Sequence, residues 1–246
     1  MKYCLITGGS GFLGSEIVKS YLRESYTPIV LDKNKLKIKN KKIIFFKCDI
    51  TSEKQVKSVF NKIKQKKISI NTIVNNAAID AVPSINKKRR FPTVNEWRKE
   101  IDVSIIGSYL IIKYFSKNML KQKEGSIINI GSDLSVIAPN QILYKKIFNN
   151  YLKPPTYSVV KFGLNGLTKY YASLYADSNI KVNMVSPGPI ENNQKKNFLK
   201  ELKKYIPMKK LAKMSDITNM ILYLSSNKNN FITGQNIIID GGRTII

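Results

Sequence analysis

The stretch Thr7-Gly8-Gly9-Ser10-Gly11-Phe12-Leu13-Gly14 decides the fold of this chain. It follows an apolar run, Tyr3–Ile6, and opens a helix-like segment, Gly11–Glu24. Small residues in such a turn let backbone N–H groups approach a pyrophosphate, and the start of the helix adds favourable partial charge. The order of strand, glycine turn and helix therefore predicts a dinucleotide site. An ordinary tight turn is the alternative explanation for the glycines alone.

Apolar runs alternate with amphipathic segments along the whole chain. The strand candidates are Tyr3–Ile6, Pro28–Leu31, Ile43–Lys47, Thr72–Asn75, Gly125–Ile130, Lys181–Val185 and Asn236–Ile239. The other helix candidates are Ser52–Lys64, Thr93–Lys121, Thr156–Asp177 and Ser215–Ser225. Short, nearly all-apolar strands between helices predict an α/β fold, with a doubly wound parallel sheet of about seven strands and helices on both faces.

Two long stretches, about 133–155 and 187–213, read as irregular. Both follow predicted strand ends, where ligands of doubly wound sheets bind. Irregular segments of this length inside one domain are usually functional. We therefore predict an active-site insertion at the first and a substrate loop at the second, within a single domain that spans residues 1–246.

The composition limits the possible partners. The chain has 246 residues and a net charge of +26, and its 42 basic residues are 37 Lys and 5 Arg. Phosphate and base recognition favours Arg, so compositional bias explains the charge better than dedicated nucleic-acid binding. No window of 18 residues is apolar and uncharged enough to span a membrane. Cys4 and Cys48 lack metal-ligand spacing and are predicted to be reduced core thiols of a cytoplasmic protein with no metal site.

The segment Tyr157-Ser158-Val159-Val160-Lys161 places a phenol and an ammonium group one helical turn apart. The ammonium group favours the phenolate and lowers the phenol pKa from about 10 toward neutrality. This pair can act as a general acid and base in a chain that has no His. A chance pair in a solvated helix is the alternative, but Ser132 lies upstream as a candidate donor to the substrate oxygen.

Asp32 ends the second predicted strand and lies 18 residues after Gly14. A carboxylate at this position accepts hydrogen bonds from the adenosine ribose and repels a 2′-phosphate, which favours NAD over NADP. The neighbouring Lys33 could offset that repulsion, so NADP stays open.

At this point the chain resembles the short-chain dehydrogenase/reductase family along essentially its whole length. The resemblance rests on the glycine turn and on Cys48-Asp49-Ile50, Asn75-Asn76-Ala77-Ala78, Asn129-Ile130-Gly131-Ser132, Tyr157 with Lys161, Ser186-Pro187-Gly188-Pro189-Ile190, Phe231-Ile232-Thr233-Gly234-Gln235 and Asp240-Gly241-Gly242. It implies a Rossmann-type domain that transfers hydride between a nicotinamide cofactor and a carbinol or carbonyl carbon.

The resemblance also implies residue roles. Tyr157 is the implied proton carrier, Lys161 supports it and binds the nicotinamide ribose, and Ser132 binds the substrate oxygen. The implied cofactor-binding residues are Gly8, Ser10, Gly11, Phe12, Leu13, Gly14, Asp32, Lys33, Asp49, Ile50, Asn76, Ala77, Ala78, Ile130, Tyr157, Lys161, Pro187, Gly188 and Ile190.

Three features depart from the family pattern. The glycine spacing is T-G-x-x-G-x-x-G, the form commoner in the extended branch of the family. Ser104 stands where the family often has an Asn that helps a proton relay, so we carry it as a candidate catalytic residue. Ser132 and Tyr157 are 25 residues apart, about twice the usual interval. The excess, about Gln141–Pro155, carries Tyr144, Phe148 and Tyr151, which either line a substrate pocket or pack at the surface.

The substrate is less constrained. The stretch from Pro154 to Gln194 is similar to short-chain reductases of bacterial surface-sugar clusters, including flagellin-modification pathways, which implies a sugar or nucleotide-sugar substrate. The alternatives are a 3-oxoacyl-acyl-carrier-protein reductase, a non-catalytic dinucleotide-binding redox sensor and a basic nucleic-acid-binding protein. Relatives commonly form dimers or tetramers through the helices that match Thr93–Lys121 and Thr156–Asp177, so the resemblance also implies a homo-oligomer.

Overall fold

The structure, a computed structural model, describes residues 1–79, 91–192 and 194–246. These residues form one sheet of seven strands: β1 (Tyr3–Thr7), β2 (Thr27–Asp32), β3 (Ile44–Lys47), β4 (Ile70–Asn75), β5 (Gly125–Ile130), β6 (Ile180–Pro187) and β7 (Asn236–Ile239). The spatial order is β3-β2-β1-β4-β5-β6-β7, and every neighbouring pair is parallel. The predicted α/β fold with a parallel sheet is confirmed.

Helices cover both faces of the sheet. They are α1 (Phe12–Arg23), α2 (Glu53–Gln65), α3 (Val94–Ile101), α4 (Gly107–Phe115), α5 (Lys117–Gln122), α6 (Gln141–Ile147), α7 (Pro155–Tyr175), α8 (Lys196–Lys203) and α9 (Met214–Ser225). On one face, α1 and α9 bury side chains such as Ile17 and Ile221 against the sheet. On the other face, α2, α4 and α7 bury Val59, Ile111 and Tyr171. Because both faces are covered, the central strands β1, β4, β5 and β6 are almost wholly buried.

The strand order reverses between β1 and β4, since the chain passes from β1 to β2 on one side and places β4 on the other. A crevice forms outside the carboxyl ends of the strands at such a switch point, and ligands bind there. The glycine turn follows β1 at this edge of the sheet, and Ser132 follows β5 at the same edge. The topology therefore brings the two predicted halves of the site together.

Two sequence predictions about helices were wrong in detail. The segment Thr93–Lys121 is not one helix, because a π-helical turn, Asp102–Ile106, separates α3 from α4. Its wider hydrogen bonding is visible where the Gly107 N–H donates to the carbonyl of Asp102. The two stretches read as irregular each contain a helix, α6 in the first and α8 in the second. Both helices are short, with seven and eight residues, and their buried side chains pack in a separate apolar cluster outside the main core.

Cys4 and Cys48 are unpaired and buried, as predicted. Burial, together with the nearby Asp49 carboxylate, raises the pKa of the Cys48 thiol to about 11, which keeps it protonated at neutral pH. Among the described residues, no helix combines the length and the apolar character needed to cross a bilayer.

Candidate active site

The glycine turn leaves the start of α1 open toward the crevice. Gly8 adopts a φ of +67°, which L side chains rarely take, and its N–H donates to the carbonyl of Leu31 at 2.9 Å. Helix α1 begins at Phe12 with no side-chain cap and no acidic residue in its first turn. Its first N–H groups and its positive dipole end therefore face the crevice without a competing side chain. Of the other predicted contacts in this turn, Phe12 is exposed and Leu13 is partly buried.

The close approach of β1, α1 and β4 explains why side chains are excluded from the turn. A Cβ atom at Gly14 would lie 2.1 Å from the carbonyl oxygen of Gly8, and one at Gly8 would lie 2.8 Å from Cα of Ala77. Asn76 donates through its amide to the carbonyls of Thr7 at 3.0 Å and Gly8 at 3.1 Å. Asn76 and Ala77 thus shape the phosphate turn from the β4 side.

The predicted adenosine end of the site holds Asp32, Lys33 and Asp49. The Asp32 carboxylate accepts hydrogen bonds from the backbone N–H groups of Ser10 and Asn34, both at 2.8 Å. Lys33 forms an ion pair with Asp49 at 2.9 Å and is therefore drawn toward the predicted adenine edge. Partial burial raises the pKa of Asp49, but the hydrogen bonds from Lys33 and Thr51 outweigh it, and the net pKa is below its ordinary value.

Ser132 is buried at the end of β5, where the chain enters a 3₁₀ turn, Asp133–Ser135. Its hydroxyl donates to Oδ1 of Asp133 at 3.0 Å and accepts the Leu134 N–H at 3.2 Å. Gly131, just before it, is required by packing, since a Cβ atom there would lie 2.1 Å from Cε of Met184. The hydroxyl is therefore held by two neighbours on its own turn.

Tyr157 and Lys161 lie one turn apart near the start of α7, as predicted. The Lys161 ammonium group is buried, donates to the carbonyl of Ile130 at 2.9 Å and lies 5.7 Å from the centroid of the Tyr157 ring. Because Ile130 ends β5 two residues before Ser132, this bond fixes the start of α7 against the strand that carries the candidate serine.

Lys153 is a residue that the sequence analysis missed. Its side chain is buried, and its ammonium group lies 4.0 Å from the centroid of the Tyr157 ring. The side chain of Gln141 fixes the Lys153 backbone with two hydrogen bonds of 3.0 Å each. A cation over an aromatic ring is attracted to its face, so both ammonium groups help to hold the Tyr157 ring in place. The lysine precedes α7 in an irregular connection, and no periodicity could have placed it there.

Ser104 lies in the π-helical turn, in contact range of α7, and is buried. Among the described residues its hydroxyl has no hydrogen-bond partner. Its carbonyl accepts the hydroxyl of Ser108 at 2.7 Å. A buried hydroxyl without a partner is costly, and π turns often occur at functional sites, so a water bound there would satisfy it.

The predicted nicotinamide turn follows β6. The Gly188 N–H donates to the carbonyl of Ile239 at 2.8 Å, and Ile190 pairs with Ala212 in an isolated parallel bridge. A Cβ atom at Gly188 would lie 2.6 Å from Cα of Asp240, so a larger residue would push the turn off β7. Pro187 ends β6 itself, so the turn is fixed at the crevice edge.

The remaining predicted cofactor contacts fall on the same edge of the sheet. Ile50 is buried against Gly107, and Ala78 is exposed beyond the end of β4. The uncapped start of α1 and the excluded Cβ positions at Gly8 and Gly14 together fit a dinucleotide, with its pyrophosphate at the turn.

The predicted active-site insertion and the predicted substrate loop pack on each other. An apolar cluster joins α6 to α8 through Leu143, Phe148, Tyr151, Phe198 and Leu202. The rings of Phe148 and Phe198 meet edge to face with centroids 5.1 Å apart, and Tyr144 lies 5.6 Å from Phe198. We call this unit, residues 141–153 with 195–204, the lid. Of the two interpretations of its aromatic residues, the structure favours packing, because Phe148 and Tyr151 are buried inside the lid.

Comparisons with known proteins agree with this geometry. A protein-family model described as Enoyl-(Acyl carrier protein) reductase matches residues 13–244. The 3-oxoacyl-acyl-carrier-protein reductase of Thermotoga maritima is 28% identical over 99% of this chain and 98% of its own length. A solved short-chain dehydrogenase from Leptospira borgpetersenii with bound NAD+ has a TM-score of 0.89 and 30% identity, covering 99% of this chain and 92% of that one.

A second solved structure is similar along the whole chain. The aldohexose dehydrogenase of Thermoplasma acidophilum, in ligand-free form, has a TM-score of 0.85 and 26% identity, covering 100% of this chain and 94% of that one. The chain thus belongs to the short-chain dehydrogenase/reductase family, a class of NAD(P)-dependent oxidoreductases that act on CH–OH groups. The family predicted from the sequence is confirmed, while the likeness to surface-sugar enzymes stays a prediction.

Proposed function

We propose that this oxidoreductase acts on a sugar or nucleotide-sugar in surface-glycan biosynthesis, with Tyr157, Lys161 and Ser132 as its catalytic residues. The observation that supports the residue roles is the hydrogen bond of Lys161 to the carbonyl of Ile130, because it ties the helix that carries Tyr157 to the strand that precedes Ser132. NAD is the preferred cofactor in this proposal, which is supported by the Asp32 carboxylate at the end of β2, where it accepts the N–H of Ser10 in the glycine turn at 2.8 Å.

Each of the three proposed catalytic residues has its own role in the reaction. In the oxidising direction Tyr157, as the phenolate, takes the hydroxyl proton of the substrate, and in the reducing direction it returns a proton to the carbonyl oxygen. Lys161 keeps positive charge beside the phenol and reaches toward the nicotinamide ribose. Ser132 donates to the substrate oxygen while charge develops on it. When bound, the nicotinamide supplies or accepts the hydride at the substrate carbon.

Two observations support a sugar substrate. The aldohexose dehydrogenase of Thermoplasma acidophilum has the same fold along the whole chain. The net charge of +26 creates a field that attracts an anionic ligand, which suits a phosphorylated, carboxylated or nucleotide-linked sugar.

A second candidate is a 3-oxoacyl-acyl-carrier-protein reductase. The relative from Thermotoga maritima carries that name, and an acidic carrier protein would suit the positive surface. Asp32 opposes this candidate, because such enzymes normally use NADPH.

A substrate panel separates the candidates. The purified protein is assayed with NAD+ and NADP+ against D-glucose, its phosphorylated forms and UDP- and CMP-linked sugars, and with NADH and NADPH against acetoacetyl-acyl-carrier protein. The proposal expects turnover of a sugar with NAD+. Reduction of the acyl-carrier substrate with NADPH and no sugar turnover would support the second candidate. Tight cofactor binding without any turnover would favour a redox sensor.

We also propose a homodimer or homotetramer of cytoplasmic location. The outward side of α7 exposes Val159, Phe162, Tyr170 and Leu174, and α4 adds Tyr109. A patch of this kind is typical of a protein interface. Light scattering of the wild-type protein and of Phe162→Glu tests it, with Ile142→Glu on α6 as the exposed control. A monomeric wild-type protein would contradict the proposal.

A further inference from the structure

The chain ends beside the candidate serine. Arg243 begins a C-terminal 3₁₀ turn, Arg243–Ile245, and its guanidinium forms a buried ion pair with Oδ2 of Asp133. The two side chains are only 8% and 5% exposed. Asp133 directly follows Ser132 and accepts the Ser132 hydroxyl with its other oxygen, Oδ1, at 3.0 Å. One carboxylate therefore connects an arginine from the end of the chain to the serine at the end of β5.

The position of Arg243 is fixed by its own turn. The Asp240 carboxylate accepts the Gly242 N–H at 2.9 Å and the Thr244 N–H at 2.7 Å. Gly242 has a φ of +87°, and a Cβ atom there would lie 3.0 Å from Cγ of Pro207. The turn is thus tied to β7 and to the end of the substrate loop, and the guanidinium points inward to Asp133.

The type of residue is informative as well. In this chain Lys outnumbers Arg by 37 to 5, so composition alone would place a lysine at position 243. A guanidinium is more weakly hydrated than an ammonium group and suits buried ion pairs with carboxylates. A buried carboxylate without a counter-charge would be strongly destabilising, which makes the pair a unit.

We infer that Asp133 and Arg243 are positioning residues for Ser132. This inference rests on the proposed role of Ser132. The serine hydroxyl has one proton, and in the structure Asp133 accepts it. To stabilise charge on a substrate oxygen, Ser132 must turn that proton from Asp133 to the substrate. Arg243 neutralises the carboxylate, so that it orients the hydroxyl without holding its proton too strongly and without placing a net negative charge beside the developing oxyanion.

The inference predicts a rescue. Arg243→Met leaves the Asp133 carboxylate buried and uncompensated, and we expect kcat to fall about 10²-fold, the loss typical of a lost oxyanion donor, with the cofactor Kd unchanged. Asp133→Asn combined with Arg243→Met removes the charge and keeps an oxygen acceptor for Ser132. It should regain at least about tenfold in kcat over Arg243→Met alone. Arg243→Lys keeps the charge and should lose less than Arg243→Met.

The control is Arg23→Met, which removes an exposed ion pair with Glu16 of 3.0 Å on α1 and should leave kcat unchanged. A purely structural role for Arg243 predicts that Arg243→Met loses stability but keeps the wild-type kcat per folded protein, because the double variant would then recover stability alone. That result, or a double variant whose kcat per folded protein is as low as that of Arg243→Met, would overturn the inference. If Ser132→Ala itself kept full turnover, the proposed role of Ser132 would fail, and with it the basis of the inference.

A second measurement needs no substrate. Arg243→Met should lower the melting temperature by about 10 °C, because a broken buried pair leaves a charge behind. Ser132→Ala should change the melting temperature by different amounts in the wild type and in Asp133→Asn, since the hydroxyl loses its charged acceptor in the latter. Equal shifts in both backgrounds would show that Asp133 does not couple to Ser132, and would overturn the inference even if no panel substrate were turned over.

Discussion

The ammonium group of Lys161 donates a hydrogen bond of 2.9 Å to the carbonyl oxygen of Ile130. The bond joins α7, which carries Tyr157, to β5, whose next two residues lead to Ser132. Both partners are buried, so the bond is protected from water and holds the helix start in register with the strand end. One contact therefore joins the segments that carry the candidate phenol and the candidate serine, while the glycine turn lies two strands away at the same edge of the sheet.

The phosphate turn gives a matched pair of glycine variants. Gly14→Ala would place a Cβ atom 2.1 Å from the Gly8 carbonyl oxygen, so the turn must distort, and we expect the Kd for NAD+ to rise at least about tenfold. Gly166→Ala, in the middle of α7, meets nothing within 4 Å inside its own chain and lies away from the turn, so it should leave the Kd for NAD+ unchanged. Isothermal titration measures both affinities. Unchanged NAD+ affinity in Gly14→Ala would contradict the predicted phosphate site.

Cofactor preference depends on the carboxylate of Asp32. Asp32→Ala removes the negative charge predicted to face the ribose, and the ratio of NADP+ to NAD+ affinity should rise at least about tenfold. Asp49→Asn removes the ionic partner that Lys33 has at 2.9 Å, so it should shift the ratio in the same direction by a smaller factor. Fluorescence titration with both cofactors gives the ratios. Tighter binding of NADP+ than NAD+ by the wild-type protein would refute the assignment of Asp32.

Substitution of Ser104 can distinguish a role in proton transfer from a role in packing. Its hydroxyl is buried and has no partner among the described residues, so Ser104→Ala should leave the melting temperature unchanged or slightly higher. If a water at this hydroxyl takes part in proton transfer, kcat should fall about tenfold. Differential scanning fluorimetry and steady-state kinetics with the panel substrate separate the two effects. Equal kcat in the variant and the wild type would remove Ser104 from the candidate catalytic residues.

Removal of an aromatic side chain from the lid should increase the population of its open form. Phe198→Ala removes a ring whose centroid lies 5.1 Å from that of Phe148 and 5.6 Å from that of Tyr144. Trypsin cleavage at lid lysines such as Lys146 should become at least about tenfold faster, since cleavage follows the population of the open form. Phe60→Ala is the control, because Phe60 packs in the main core against Tyr114 and Phe115. It should lower overall stability without selective cleavage in the lid. Equal selective cleavage in both variants would contradict a separate lid.

The parts of the fold that follow from local sequence were predictable. Strands such as β5 and β6 are buried on both faces, and their sequences are largely apolar runs. The spacing of the glycines after β1 likewise indicates a tight turn from the sequence alone. The π turn at Asp102–Ile106 could not be read, because it adds one residue per turn without interrupting the apolar pattern. The sequence carries a weak signal for the start of α6, because Asn is a favoured N-cap residue. In the structure the Asn140 side chain accepts the Leu143 N–H.

In the candidate site, too, some residues could be placed from local sequence and others could not. Tyr157 and Lys161 are four residues apart on one helix, so helical spacing places them together. Lys153 precedes the helix, and its position over the Tyr157 ring depends on the fold of the lid. Arg243 and Asp133 are 110 residues apart, and only the parallel order of β5, β6 and β7 brings their segments together. Contacts of this kind depend on tertiary structure and leave no periodic pattern.

The most direct test of the central claim is Tyr157→Phe, measured in two ways: kcat with the panel substrate that the wild-type protein uses, and the Kd for NAD+. Because the variant lacks only the hydroxyl group that carries the proton, we predict that kcat falls at least about 10²-fold while the Kd for NAD+ stays within about threefold. A variant that keeps near-normal turnover would contradict the account.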